Sequence, residues 1–366
     1  MPTDQKVLEA IAKTGFVLEH EVVVALQQAG WKTINGSYYI DDVSNQAREL
    51  DVIAYKITKL DDLHMLTCAL ISCKKDAKDT AAFLSRKRPS RDPNADWEPA
   101  PQATRLQPMK AHLSSSDWKS RYFSSMSPPV KSMLVAGRDV FAFQMVGNEG
   151  QANNNKPYYD SFTSLIKALD HEVSKRIESN KTHRKRIYSY SLHTVFDARM
   201  VEVQFDQEEK DVRPVDRITC FTRYMVRKQD TVASVHFVQS TSMAKWIGDL
   251  DSLHQHNIDF FEQEVGASFD AIVTSAAVRN YFKEDMGYLL RHYLAKAASR
   301  LGIAMPSGEV ILGVNERGLE VSMDFSESDA EKLGADATLG EELASLFSRR
   351  ARYAGNVEIG TFDIPF

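Results

Sequence analysis

The stretch LHMLTCALISC, residues 63–73, is apolar at almost every position and runs straight into two lysines. It falls well short of the roughly 18 apolar residues of a membrane span. A strand with one wet face alternates polar and apolar residues, and this run does not. It reads as a central strand buried on both faces of a sheet. The pattern predicts an α/β chain with a mixed central sheet.

The flanking sequence supplies the other elements. Residues 5–29 place Val7, Leu8, Ile11, Phe16, Val17, Val22, Val23 and Leu26 at helical spacing, with a break near Gly15. KTINGSYYI then reads as a strand or hairpin, with Asn35-Gly36 as a turn signal. After a polar loop comes the strand RELDVIAYKI, then the apolar run. Residues 76–155 read as a long insertion rich in Pro, Ser and Arg. An amphipathic helix follows from 157, a strand from 187, a hairpin near 216–239 and a helix beyond 243. The chain divides into a domain at 1–265 and a C-terminal α+β segment at 266–366, whose hairpin turns at Asn315–Gly318.

Composition excludes several classes. Cys68, Cys73 and Cys220 form no CxxC pair, against a disulfide framework or a structural zinc site. The first residues lack the apolar run of a signal peptide, and the expected setting is soluble and cytoplasmic, away from membranes. There is no GxxxxGK[ST] loop and no GxSxG elbow. The net charge of -5 gives no global nucleic-acid footprint, yet residues 74–131 hold 12 Lys and Arg against 6 Asp and Glu. A local basic patch is thus expected inside an acidic protein.

Side chains at i and i+2 on a strand share a face. Glu49 and Asp51 therefore point one way, and Ser72 and Lys74 share a face of the next strand. Where the two strands are neighbours, these groups converge. Carboxylates are hard oxygen ligands that suit Mg²⁺, and the metal acidifies a bound water and offsets phosphoryl charge. A lysine beside them orients that water or steadies developing negative charge.

The order of helix carboxylate, strand RELDVIA and strand ISCKK resembles the PD-(D/E)xK, restriction endonuclease-like superfamily. The resemblance is close over residues 5–75 and holds over 157–205 by order of elements. It implies an αβββαβ core and metal-dependent hydrolysis of phosphodiester bonds with Mg²⁺ or Mn²⁺, in DNA before RNA. It further implies a setting in prokaryotic defence or DNA processing, with a homodimer as one assembly. Asp51 matches the metal-binding Asp and Lys74 the Lys; Glu19 stands in place of the first-helix Glu, with Glu21 as the alternative. The family's second acid belongs at position 72, where this chain has Ser72, a poor metal ligand. Two readings follow. Either Glu49 supplies the missing carboxylate, or the chain is an inactive nuclease-like module that binds DNA or a protein partner.

Basic residues beside such a core become phosphate contacts: Lys75, Arg86, Lys87, Arg88, and Arg184, Lys185 and Arg186 of KTHRKR. Trp97, Trp118, Tyr122 and Phe123 lie amid the basic insertion, where aromatics either stack bases or anchor the insertion to the core.

Overall fold

The computed structural model describes residues 3–42, 44–61, 63–89, 96–115, 117–178, 185–206 and 210–361. The chain forms two compact units, one of residues 1–105 and 117–260, the other of residues 106–116 and 261–366.

The first unit opens with α1 (Asp4–Ala12) and α2 (Gly15–Gln28), divided at Lys13-Thr14. Three antiparallel strands follow: β1 (Lys32–Ile40), β2 (Ala47–Leu60) and β3 (Leu63–Arg86). Then come β4 (Gln102–Thr104), α3 (Gln107–Ser115), which belongs to the second unit, α4 (Trp118–Ser124), α5 (Pro128–Leu134) and β5 (Asp139–Val146). The crossover helix α6 (Lys156–Glu178) leads into β6 (Lys185–Gln204), which lies parallel to β3. After β7 (Asp211–Pro214), β8 (Arg217–Val226) and β9 (Gln229–Gln239) form a hairpin. Its two-residue loop, Arg227-Lys228, has φ of 50° and 64°, as a tight type I′ turn requires. The helix α7 (Met243–Asp270) carries the chain into the second unit.

The architecture is α/β with a mixed central sheet. Among the described residues its nine strands run in the order β1-β2-β3-β6-β9-β8, with β5 paired to β3, and β4 and β7 paired to β6. The apolar run of β3 is central as its composition demands, with β2 on one side and β6 on the other. Leu66, Cys68 and Leu70 join Phe162, Leu165, Ile166 and Leu169 of α6 in one buried cluster. On the opposite face, Thr67 is hydrogen-bonded by His254 and Asn257 of α7. This is the two-sided cover that a non-alternating strand needs.

Two local expectations fail for physical reasons. The insertion does not begin at residue 76; β3 continues past the lysines to Arg86. A register shift between Lys75 and Thr80 absorbs the polar KDAKD stretch, and the apolar AAFL then resumes pairing with β5 and β6. Asn35-Gly36 is not a hairpin turn either. It sits inside β1, between the pairs Asn35–Val52 and Ser37–Leu50, with Gly36 at φ 59°.

The second unit holds α3, α8 (Ala276–Leu301), the hairpin β10 (Ile311–Asn315) and β11 (Gly318–Met323), α9 (Glu327–Gly334), α10 (Ala337–Ala351) and β12 (Asn356–Thr361). β12 lies parallel to β11 at the edge of a three-stranded sheet. Phe282, Met286, Leu290, Leu343 and Phe347 are buried there. Among the described residues, no helix is long and apolar enough to cross a membrane.

Candidate active site

The site forms where two strands part. Pairing of β2 with β3 ends at Val52–Ile71. Past that point the Cys73 amide no longer meets a β2 carbonyl, and a backbone N–H at such a place needs another acceptor. Asp51 supplies it. Its Oδ2 accepts from the Cys73 N–H at 2.6 Å and from the Ser72 hydroxyl at 3.1 Å. The Lys74 ammonium lies 3.6 Å from the same oxygen. Asp51 and Lys74 side chains are 20% and 26% exposed, so this ion pair is reachable from solvent. Ser72 is buried beneath it.

Glu49 stands two residues before Asp51 and opens into the same cleft. Room for its carboxylate comes from Gly36 across the ladder. A Cβ at that position would sit 2.8 Å from Glu49 Oε1. Glu19 projects from α2. Its carboxyl is raised above the ordinary range by burial first, then by the charge of Asp51, with Glu49 adding and Lys74 opposing. Glu19 thus feels the charges of Asp51, Lys74 and Glu49. Glu21, two residues further along α2, is exposed. The Cys73 thiol is pushed far up by burial and by the charges of Asp51 and Glu19, which makes it a poor nucleophile.

The cleft above these groups has a volume of about 430 Å³. Its far wall is α6, which presents Lys156, Asp160, Thr163, Ser164 and Lys167. Their spacing of four, three, one and three residues is one helical stripe. The stripe was present in the sequence as the polar edge of an amphipathic helix, but nothing there said which strands it would face. Lys167 is buried and pinned by Asp41 at 2.7 Å and Asp42 at 3.1 Å. Asp41 also closes its own loop by accepting from the Ser44 amide at 2.7 Å. Arg48 and Tyr39 complete the rim.

The donor set suits a hard cation, since Asp51, Glu49 and Glu19 offer only carboxylate oxygens. Among the described residues, however, no three His, Cys, Asp or Glu side chains are gathered closely enough to form a ready coordination sphere.

The predicted phosphate contacts are scattered. Lys75 donates to the Ala12 carbonyl at 2.7 Å and lies 3.7 Å from Asp197, so it ties α1 to the sheet. Arg86, Lys87 and Arg88 lie at or beyond the far end of β3, about 40 Å along the strand from Lys74 at 3.3 Å per residue. There Arg86 bonds Asp139 at 2.8 Å and Arg88 sits 4.7 Å over the Trp97 ring. Lys185 and Arg186 pair with Leu63 and His64, at the opposite end of β3. Arg184 lies outside the described residues. The insertion's aromatics are anchors rather than stacking platforms: Trp118, Tyr122 and Phe123 are buried, and Trp97 packs 4.4 Å from Phe221. The chain matches no protein-family model, no curated protein and no solved structure.

Proposed function

We propose that the chain is a metal-dependent nuclease of the restriction endonuclease-like kind, hydrolysing phosphodiester bonds in DNA. The observation that carries this reading is the gripped Asp51 with Lys74 at 3.6 Å, in one cleft with Glu49 and within electrostatic reach of Glu19. The order of elements supports it. Helix α2, three antiparallel strands, crossover helix α6 and parallel strand β6 follow the αβββαβ order that the resemblance implies.

Asp51, Glu49 and Glu19 are the residues that would hold Mg²⁺ or Mn²⁺. When bound, the cation supplies charge neutralisation and an acidified water. The chain's own groups have separate tasks. The Cys73 amide and Ser72 hydroxyl fix the Asp51 carboxylate in place. Lys74 brings a positive charge to the point where negative charge develops on the phosphate. Ser72 acts through Asp51 and donates one hydrogen bond.

One observation favours the second reading, a module that binds DNA or a protein partner and does no chemistry. It is the lack of a gathered three-ligand group among the described residues. A single experiment separates the two. Supercoiled and linear DNA are incubated with the protein in Mg²⁺, Mn²⁺ or chelator, beside Asp51→Asn and Lys74→Ala. Metal-dependent nicking, lost in both variants, is the expected result. No cleavage in either metal by a folded protein transfers the assignment to the binding module. The setting in prokaryotic defence or DNA processing belongs to the proposal by resemblance alone.

A further inference from the structure

We propose that Arg48 and Lys156 hold the substrate's phosphates in the cleft, and that the substrate is recognised by its backbone rather than its bases; this rests on the nuclease reading.

Four cations line the cleft, and two of them are already committed. Lys74 is held by Asp51, and buried Lys167 is neutralised by Asp41 and Asp42. Arg48, on β2, and Lys156, at the start of α6, are both exposed. Neither side chain makes a hydrogen bond or ion pair with another described residue. A lone surface cation is usually just solvated. These two differ in what stands beside them. Asp41, Glu49, Asp51 and Asp160 also line the cleft. A phosphodiester entering it meets carboxylates that repel it, and uncommitted cations are the groups able to offset that repulsion. They come from two walls, so a strand passing Asp51 meets one from each element.

The lining also argues against base readout. Its one aromatic ring, Tyr39, is 4% exposed and offers no stacking face. Sequence is read through base edges or stacked rings, while charged contacts to phosphate position the strand without reading it. Binding should therefore be tolerant of sequence and steep in salt.

The test measures affinity in chelator, so that no strand is cut, for labelled single strands and duplexes of two unrelated sequences between 50 and 200 mM salt. Wild type is compared with Arg48→Gln, Lys156→Gln and Lys59→Gln. Lys59 is exposed on β2, eight residues from Asp51, and serves as a control remote from the cleft. Log affinity should fall linearly with log salt. Each cleft substitution should lower the slope by about 0.9 on duplex or about 0.7 on single strand, equally for both sequences. Lys59→Gln should leave the slope unchanged. Unchanged slopes in Arg48→Gln and Lys156→Gln, with wild type still binding and cleaving, overturn this assignment and leave the nuclease reading standing. A loss confined to one sequence overturns backbone recognition. Wild-type protein that neither binds nor cleaves nucleic acid overturns both.

Discussion

The backbone amide of Cys73 donates to the carboxylate of Asp51 at 2.6 Å, so β3 holds the key acid of β2 through its main chain. A main-chain grip does not depend on the neighbouring side chain, which makes the departure at position 72 testable. Ser72→Ala removes one 3.1 Å hydrogen bond and leaves the amide and Lys74 in place. The expected cost is about 1 kcal/mol in stability and less than about tenfold in cleavage. Ser72→Asp restores a second acid, but at a buried position against Asp51. It should melt several degrees below wild type in chelator, because two carboxylates repel there. Added Mg²⁺ should recover more of its melting temperature than wild type gains, since a cation bound only by the native state stabilises it. Thermal melts with and without Mg²⁺ decide this. Equal melts for Ser72→Asp and wild type in both conditions would show that the two acids do not meet.

Gly36 and Glu49 form a second dependence. The left-handed backbone at Gly36 is one that an L side chain adopts at a cost of roughly 1–2 kcal/mol. A Cβ there would also push on Glu49 Oε1 from 2.8 Å, and the flexible Glu49 side chain is the group that gives way. Gly36→Ala is therefore expected to lower stability by about 1 kcal/mol and to raise the Mg²⁺ concentration needed for half-maximal cleavage several-fold. Glu49→Gln should raise it as well. A Mg²⁺ titration of initial rates on both variants checks the link. If Gly36→Ala loses stability but keeps the wild-type Mg²⁺ dependence, the displaced Glu49 is not a ligand.

How far the sequence spoke depended on the range of the interaction. The buried centre of the sheet was legible because LHMLTCALISC carries its own environment in its composition. Asp51 and Lys74 were legible because strand alternation is local. The ends of elements were not. The polar DAKD reads as the start of an insertion, and only the β6 partner shows that a register shift carries β3 on to Arg86. Asn35-Gly36 has the chemistry of a hairpin turn, yet Gly36 takes its positive φ inside β1, between the pairs Asn35–Val52 and Ser37–Leu50. The α6 wall was hidden for a different reason. Lys156 is far in sequence from Asp51, and only the crossover places them in one cleft. The basic patch misled because charge was counted along the chain. The roughly 40 Å of β3 between Lys74 and Arg86 carries Arg86–Arg88 away from Lys74.

Lys167 is expected to matter for folding rather than for chemistry. Its ammonium is buried between Asp41 and Asp42, and Asp42 also accepts from the Arg227 amide at 2.7 Å, joining the first loop to the β8–β9 turn. Those partners hold the Lys167 pKa up against burial, so it stays charged. Lys167→Met would remove the ammonium that Asp41 and Asp42 share. Breaking one side of such a pair costs about 3–5 kcal/mol. Urea denaturation should show a loss of that order, while Lys156→Met, at an exposed position on the same stripe, should change stability by less than about 0.5 kcal/mol. Comparable losses in the two variants would mean that the Lys167 pair carries no special weight.

His254 sets an acid limit on the fold. Its Nδ1 lies 2.9 Å from Thr67 Oγ1 and its Nε2 3.0 Å from Thr58 Oγ1, so the ring bridges β2 and β3 from α7. Burial first, and then the Lys56 ammonium, hold its pKa down to about 4, with Asp251 opposing. His193 is held down to about 3 by burial, and His236 well below its ordinary value by burial and by His193 and Arg217. All three are neutral in the folded protein near neutrality. The unfolded chain takes up protons near pH 6.5, while the folded chain does not until the pH is far lower. The unfolded state thus binds more protons, and stability falls as the pH drops below about 6.5. For His254 the fall ends near pH 4, where the folded ring is protonated too. His254→Gln keeps a hydrogen-bonding side chain and removes one titrating group. It is destabilised at pH 7, and its pH dependence should be shallower than wild type by about 1.4 kcal/mol per pH unit between about pH 6 and 4.5. The gap between the two proteins should therefore narrow by about 2 kcal/mol across the window. Urea denaturation of both at half-unit pH steps measures it. A gap that stays constant from pH 7 to 4.5 would mean that His254 titrates alike in the folded and unfolded chains.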